Sequence, residues 1–318
     1  MTRKPAVAAV ETKTPPVAGK PGEVTTVGVW RPPAGLTQVP LWPNGAPDMG
    51  GVSQPPESVL TAETPEAIGG HSSQAVFDVS APTLTVFPPK GHNTGVGVIV
   101  FPGGGFKAVV LTLEGTEICD WLTARGITCI LVKYRVPNSA HHWDRECRCS
   151  VTPKIPRALQ DAQRAIKVVR SRAKALNLDP GKIGVMGFSA GGYLVAQTSN
   201  IFEPAYKPVD AIDALSSRPD FAIAVYPGHL CREGGKLDPG IHVTKRTPPT
   251  FLLAAWDDPV DEICNTTVYG RALDAGGARA EVHVFGAGGH AFGLRGSSRV
   301  AAAWPVLVEG WLKDIGVL

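Results

Sequence analysis

Four short stretches carry the residue types that chemistry needs. The first is Gly187-Phe188-Ser189-Ala190-Gly191, inside "GVMGFSAGGY" and directly after an apolar run. Glycine stands where a backbone turns sharply or is closely approached. A G-x-S-x-G pattern at a strand-to-helix turn is the arrangement that lifts a serine hydroxyl clear of a sheet edge. On its own the pattern fits an ordinary turn about as well. The second stretch is "FPGGGF" at 101–106, three glycines after another apolar run. No Lys-Ser/Thr follows, which argues against a phosphate loop. The stretch fits a loop whose backbone amides approach a substrate carbonyl oxygen. Gly104 and Gly105 are the candidate donors, with a third from the amide of Ala190.

The third stretch, "AAWDDPVDE" at 254–262, offers Asp257 and Asp258 at a strand end, where a plain Asp-Pro turn is the simpler reading. The fourth, "GAGGHAFGL" at 286–294, sets His290 in a glycine-rich loop. Serine, then aspartate, then histidine is the chain order expected when a nucleophile elbow opens a Ser-His-Asp triad. In that arrangement the histidine takes the serine proton during attack on an ester carbonyl. The aspartate orients the imidazole, and the loop amides bind the oxyanion. No cofactor and no metal are needed. The eight histidines show no H-E-x-x-H spacing, and Cys147-Arg148-Cys149 has the wrong spacing for a zinc knuckle.

These stretches need a scaffold that brings four loops to one edge. Runs such as "GVGVIVFP" (95–102), "ITCILVKYRV" (127–136), "KIGVMGF" (182–188), "DFAIAVYP" (220–227) and "PTFLLAAW" (249–256) read as buried parallel strands. "APTLTVFPP" (81–89) and "AEVHVF" (280–285) add two more. Helices are predicted over 115–123, 156–176, 190–199, 268–275 and 299–315. Strands alternating with helices predict an α/β fold with a mostly parallel central sheet and helices on both faces. Right-handed crossovers then gather the strand C-termini, and with them all four stretches, on one edge. The basic run from Arg157 to Lys174 is read as the solvated face of the long helix, whose apolar stripe is Leu159, Ala162, Ile166, Val169 and Ala173.

At 318 residues with 43% hydrophobic content, the chain has ample material for a core. Its net charge of +3 is too small to argue for a nucleic-acid partner, and no apolar run approaches the ~18 residues that cross a membrane. Residues 1–39 read as a flexible leader, and 40–318 as one catalytic domain. Cys119 and Cys129 are read as small core hydrophobes. Cys147 or Cys149 is expected to bridge to Cys231 or Cys264, which would favour a periplasmic or secreted protein over a cytoplasmic one.

Taken together, the chain resembles the α/β-hydrolase-fold esterases, in particular the bacterial acetyl-esterase and acetylxylan-esterase-like group related to feruloyl esterases and dienelactone hydrolases. "PLWPNGAP", "FPGGGF", "LEGTEICDWL", "IGVMGFSAGGYL", "DDPVDE" and "GGHAFGL" carry the likeness, which runs from residue 40 to 315. The resemblance implies Ser189 as nucleophile, His290 as base and Asp258 as acid, with Asp257 the alternative. It does not fix the substrate; residues 227–249 are too few for a large cap domain, and the crowded elbow and glycine loop lead to the expectation of a short-chain, acetyl-like ester with a permissive alcohol side, as a carbohydrate esterase needs. Feruloyl or aryl esters, a serine peptidase and a silent binding module are the other readings. Where relatives often carry Val-Glu-Asn-Ser, this chain has Ile263-Cys264-Asn265-Thr266, which puts a substrate contact from that turn in doubt.

Overall fold

Eight strands form the central sheet: β1 (Gln38–Pro40), β2 (Thr83–Phe87), β3 (Gly97–Phe101), β4 (Thr128–Lys133), β5 (Ile183–Phe188), β6 (Ala222–Val225), β7 (Thr250–Ala255) and β8 (Ala280–Phe285). The computed structural model describes residues 30–49, 55–62, 71–136, 142–144, 149–151, 156–295 and 301–318. The strand order is β1–β2–β4–β3–β5–β6–β7–β8. β2 runs antiparallel to both its neighbours, and every pair from β4 to β8 is parallel. β3 to β7 are buried along their whole length, which is why they read as continuous apolar runs. β8 is the edge strand, and only Phe285 is fully buried there.

Five helices flank the sheet: α1 (Glu117–Thr123), α2 (Pro156–Ser171), α3 (Ala190–Asn200), α4 (Cys264–Ala275) and α5 (Trp304–Asp314). α1 and α5 meet through the Trp121 and Trp304 rings, 5.6 Å apart, and an Arg125–Glu309 ion pair. α2 and α3 pack against each other elsewhere on the sheet. The chain leaves β3 for β4 on one side, then crosses back to β5 on the other. The C-terminal ends of β3 and β5 therefore border the switch point where open α/β sheets bind ligands.

Several expectations need correction. The flexible leader does not extend to residue 39. Trp30 is buried, the Gln38 amide donates to the Trp30 carbonyl, and β1 pairs with β2. The basic face of α2 is not solvated. Arg164 is buried and paired with Asp210 and Asp213, and buried Lys167 reaches the Asp213 carbonyl. Asp161 of the same helix holds buried Arg135 at the end of β4. Between β4 and α2, His142–Asp144 and Cys149–Val151 form a short antiparallel pair.

The cysteines also pair differently from expectation. Cys119 and Cys129 are buried, but they are bonded to each other, joining α1 to β4. Cys231 is bonded to Cys264, joining the segment after β6 to the start of α4. Neither is therefore available to Cys147 or Cys149, whose side chains lie outside the described residues. In both bridges the Cα atoms are close enough for a disulfide, 5.2 and 5.7 Å apart.

An outer three-stranded antiparallel sheet, Ser58–Ala62, Ser73–Phe77 and Ala108–Val110, was not anticipated. Its third strand follows the glycine loop directly, which places this sheet beside the strand ends. Among the described residues no helix is long and apolar enough to cross a membrane.

Candidate active site

Ser189 sits between β5 and α3 with φ 51° and ψ −118°, a conformation that side-chain-bearing residues rarely adopt. Its neighbours make the turn possible. A Cβ on Gly187 would fall 2.2 Å from the Gly191 carbonyl oxygen, and one on Gly191 would fall 1.9 Å from that of Phe101. Two backbone bonds hold the turn: Ser189 N–H donates to Val225 O, and Gly228 N–H donates to Ser189 O.

His290 lies in the loop after β8. Its Nε2 is 3.0 Å from Ser189 Oγ, and its Nδ1 is 2.7 Å from Asp258 Oδ2. The other oxygen of buried Asp258 accepts the amides of Val260 and Asp261 at 2.8 and 2.9 Å. Asp257 does something else: its exposed carboxylate accepts the Gly288 and Gly289 amides, both at 2.8 Å, and so holds the loop that carries His290. The Tyr226 ring stands edge-on to the imidazole, with centroids 5.1 Å apart. Burial works to lower the His290 pKa. It is outweighed by the Asp258 hydrogen bond and by the charges of Asp261, Asp258 and Glu114, so the group titrates above its ordinary value.

The glycine loop follows β3. Gly104, with φ 129°, has no room for a Cβ, which would meet the Ala108 carbonyl at 2.3 Å. Its own carbonyl accepts the Lys107 and Ala108 amides and closes the turn. Phe106, also at positive φ and fully buried, packs against Tyr134, Tyr193 and His229 and fastens the loop. Gly104, Gly105, Ser189 and His290 line one cavity of about 410 Å³. Leu60, Ala75 and Val110 of the outer sheet, Leu113 and Val260 give it mostly apolar walls, and Arg295 completes the rim. Ala190 follows Ser189 as the first residue of α3, where amides lack helical partners.

Two acidic residues went unassigned in the sequence. Glu114 is buried in a π-helical turn, Thr112–Thr116, a form that recurs at functional sites. It accepts the Gly103 amide at 2.7 Å and the Tyr226 hydroxyl at 2.8 Å, and Tyr226 in turn accepts the Gly293 amide. One carboxyl thus links the glycine loop, the end of β6 and the histidine loop. Burial raises its pKa, against those two hydrogen bonds and the His290 charge. The available signal was a lone glutamate following the apolar run Ala108–Leu113. Asp261 is the other, and its Oδ2 accepts the Ser189 hydroxyl at 2.9 Å. The departure at 263–266 also has an explanation. Cys264 forms the bridge to Cys231, and Asn265 Oδ1 accepts the Leu230 and Cys231 amides, so these two residues fasten the loop.

Comparison with known proteins gives the class. The prolyl oligopeptidase family model matches residues 156–314, half of the chain, and the family described as BD-FAE matches residues 85–203. The strand order and these matches make the chain an α/β hydrolase, and it belongs to the prolyl oligopeptidase family. Within that class it is similar to an acetylxylan esterase of Xylanibacter ruminicola, 31% identical over 73% of this chain and 47% of the relative. It is 24% identical to an endo-1,4-beta-xylanase B of Butyrivibrio fibrisolvens over 57% of this chain and 30% of the relative. The chain thus spans less than half the length of these two relatives. Among solved structures it is similar to an acetyl ester-xyloside bifunctional hydrolase from Caldicellulosiruptor lactoaceticus, at a TM-score of 0.68 and 29% identity, covering 89% of this chain and 97% of that one. Esterase 2 of Thermogutta terrifontis shares the fold, at a TM-score of 0.61 and 21% identity, over 81% of this chain and 99% of that one.

Proposed function

We propose that this protein is a serine carboxylesterase that removes short, acetyl-like acyl groups from a carbohydrate alcohol. The observation that carries the reading is the chain of contacts Ser189 Oγ–His290 Nε2 and Nδ1–Asp258, opening into a cavity bordered by Gly104 and Gly105. In this mechanism Ser189 Oγ attacks the ester carbonyl carbon while His290 Nε2 takes its proton. Asp258 keeps the hydrogen on Nδ1 and faces the imidazolium as it forms. The amides of Gly104, Gly105 and Ala190 receive the oxyanion, and losing one such donor costs ~3 kcal/mol in comparable sites. His290 then protonates the departing alcohol. Water, activated by the same imidazole, releases the acyl group from Ser189. No step calls on a cofactor.

The names of the similar proteins, an acetylxylan esterase and an acetyl ester-xyloside hydrolase, support the acetyl group and the sugar alcohol. The two disulfides among the described residues support a place outside the cytosol, where such bonds persist. The family match to prolyl oligopeptidases favours a second reading, a serine peptidase using the same three residues. Hydrolysis of p-nitrophenyl acetate and acetylated xylan, set beside an aminoacyl-p-nitroanilide, separates the two. We expect ester turnover that falls to background in Ser189→Ala. Wild-type turnover by that variant would remove the assignment altogether.

A further inference from the structure

Ser189 has one hydrogen and two acceptors within reach of it. His290 Nε2 lies 3.0 Å from Oγ and Asp261 Oδ2 lies 2.9 Å from it. Asp261 Oδ2 is itself only 3.7 Å from Nε2, so the three groups form a triangle around the nucleophile. The Ser-His-Asp mechanism uses one of those acceptors and has no use for the other.

The second carboxylate is built in. The Asp261 amide donates to Asp258 Oδ1, so one turn holds both acids. Gly228 leaves the space that Asp261 fills, since a Cβ there would stand 2.4 Å from Asp261 Oδ1. The Asp261 side chain is 14% exposed, and its negative charge is therefore poorly screened from His290.

Counting protons limits what this triangle can be. Asp258 accepts two amides on Oδ1 and faces His290 Nδ1 through Oδ2, the arrangement in which the triad mechanism keeps a hydrogen on Nδ1. Both contacts to Oγ are then hydrogen bonds in two arrangements. In one, Asp261 is a carboxylate that accepts the Oγ hydrogen, and an imidazolium donates Nε2–H to Oγ. In the other, Asp261 is a carboxylic acid donating to Oγ, and Oγ donates to a neutral Nε2. The two hold the same number of protons. They interconvert when a proton passes from Nε2 to Oγ while the Oγ proton passes to Asp261 Oδ2. In the first, the Asp261 charge holds the proton on His290, and that proton must leave before the imidazole can act as a base.

We propose that Asp261 is a further catalytic residue of this site, a carboxylate that touches the Ser189 hydroxyl and whose charge holds the proton on His290. The inference rests on the esterase reading for its kinetic test, though not for its spectroscopic one. Burial pushes the Asp261 carboxyl up, against the His290 charge and the Ser189 hydrogen bond, and His290 is also held above its ordinary range. His290 is faced by Asp258 and Asp261 from the turn after β7, by Glu114 from the π-helical turn and by the Tyr226 ring from the end of β6. The nearby cation of the cavity rim, Arg295, is paired with Glu117.

The test is the pH dependence of Asp261→Asn. Removing a negative charge from beside an imidazolium makes that cation easier to deprotonate. The acid limb of kcat/KM for p-nitrophenyl acetate is therefore expected to move down by about one pH unit or more. The ratio of variant to wild-type kcat/KM then rises about tenfold between the alkaline plateau and two pH units below the wild-type limb. The His290 ring titration, followed by NMR without substrate, is expected to move the same way. Asp261→Ala should give the same direction, so a misfolded Asn variant does not end the test. An acid limb and a histidine titration that stay at their wild-type positions would overturn the proposal, whatever happens to the rate. If no ester is turned over, the esterase reading fails separately and the NMR titration alone decides.

Discussion

At the residue scale, the site separates two adjacent aspartates that the sequence leaves side by side. Asp258 is buried against the imidazole, whereas Asp257 is exposed and bonded to the amides of the next loop. Asp258→Asn is expected to lower kcat by about 10⁴, because the amide cannot hold the hydrogen on Nδ1. Asp257→Asn keeps an acceptor oxygen for Gly288 and Gly289 and should cost less than tenfold, roughly the loss of one weakened hydrogen bond. Initial rates on p-nitrophenyl acetate at one pH check the order, and a dead Asp257→Asn with an active Asp258→Asn would reverse the assignment. The pairs Ser189–His290 and His290–Asp258 were legible because G-x-S-x-G, D-D-P and G-G-H are local signals at strand ends. Glu114 and Asp261 were not. A carboxylate used through the fold, with its hydroxyl partner 72 positions away for Asp261 and 112 for Glu114, leaves no spacing in the sequence to detect.

At the scale of elements, the apolar β-branched runs gave the sheet, since a strand buried on both faces has few other sequences available to it. The outer sheet escaped notice because its strands are short and partly exposed: Leu60 is 58% exposed and Ser73–Phe77 is buried only at Val76. The charged face of α2 was misread for a related reason. Periodicity marks which side of a helix is apolar but not what lies across from the other side. Here Asp210 and Asp213 return from beyond α3 to meet Arg164. Small buried cysteines likewise look alike whether bonded or free. The bridges give an element-scale expectation: without reductant, Cys119, Cys129, Cys231 and Cys264 should resist alkylation even in denaturant. Replacing both Cys231 and Cys264 by serine should cost about 2–4 kcal/mol, read as a lower urea midpoint. Quantitative alkylation of all four cysteines in the freshly purified, unreduced protein would contradict the bridges and withdraw the support for a place outside the cytosol.

At the scale of the whole molecule, the sheet edge carries Ser189, Asp258 and His290, and the outer sheet lines the cavity beside them. Under the proposed esterase reading, the cavity of about 410 Å³ takes both sides of an ester, an acyl group beside Ser189 and an alcohol towards the rim. That volume lies near the lower end for small-molecule sites, which run from about 300 to 1,000 Å³. A sugar ring occupying the outer part leaves room for a short acyl chain against Leu113 and Val110. Each further methylene that finds an apolar wall gains about 0.8 kcal/mol, but one pushed past Leu60 and Val260 into solvent gains almost nothing. One forced against fixed backbone costs about 1–3 kcal/mol. Gly104 and Ala190 are such fixed positions, closed in by the Ala108 carbonyl and by complete burial. Values of kcat/KM across p-nitrophenyl esters of two to twelve carbons are therefore expected to peak between acetyl and butyryl and to fall by octanoyl. Leu113→Ala, which widens the inner wall, should shift that peak towards longer chains without moving the pH profile. A wild-type maximum at eight carbons or beyond would mean that the acyl chain runs along the exposed Leu60–Val260 surface rather than into the cavity.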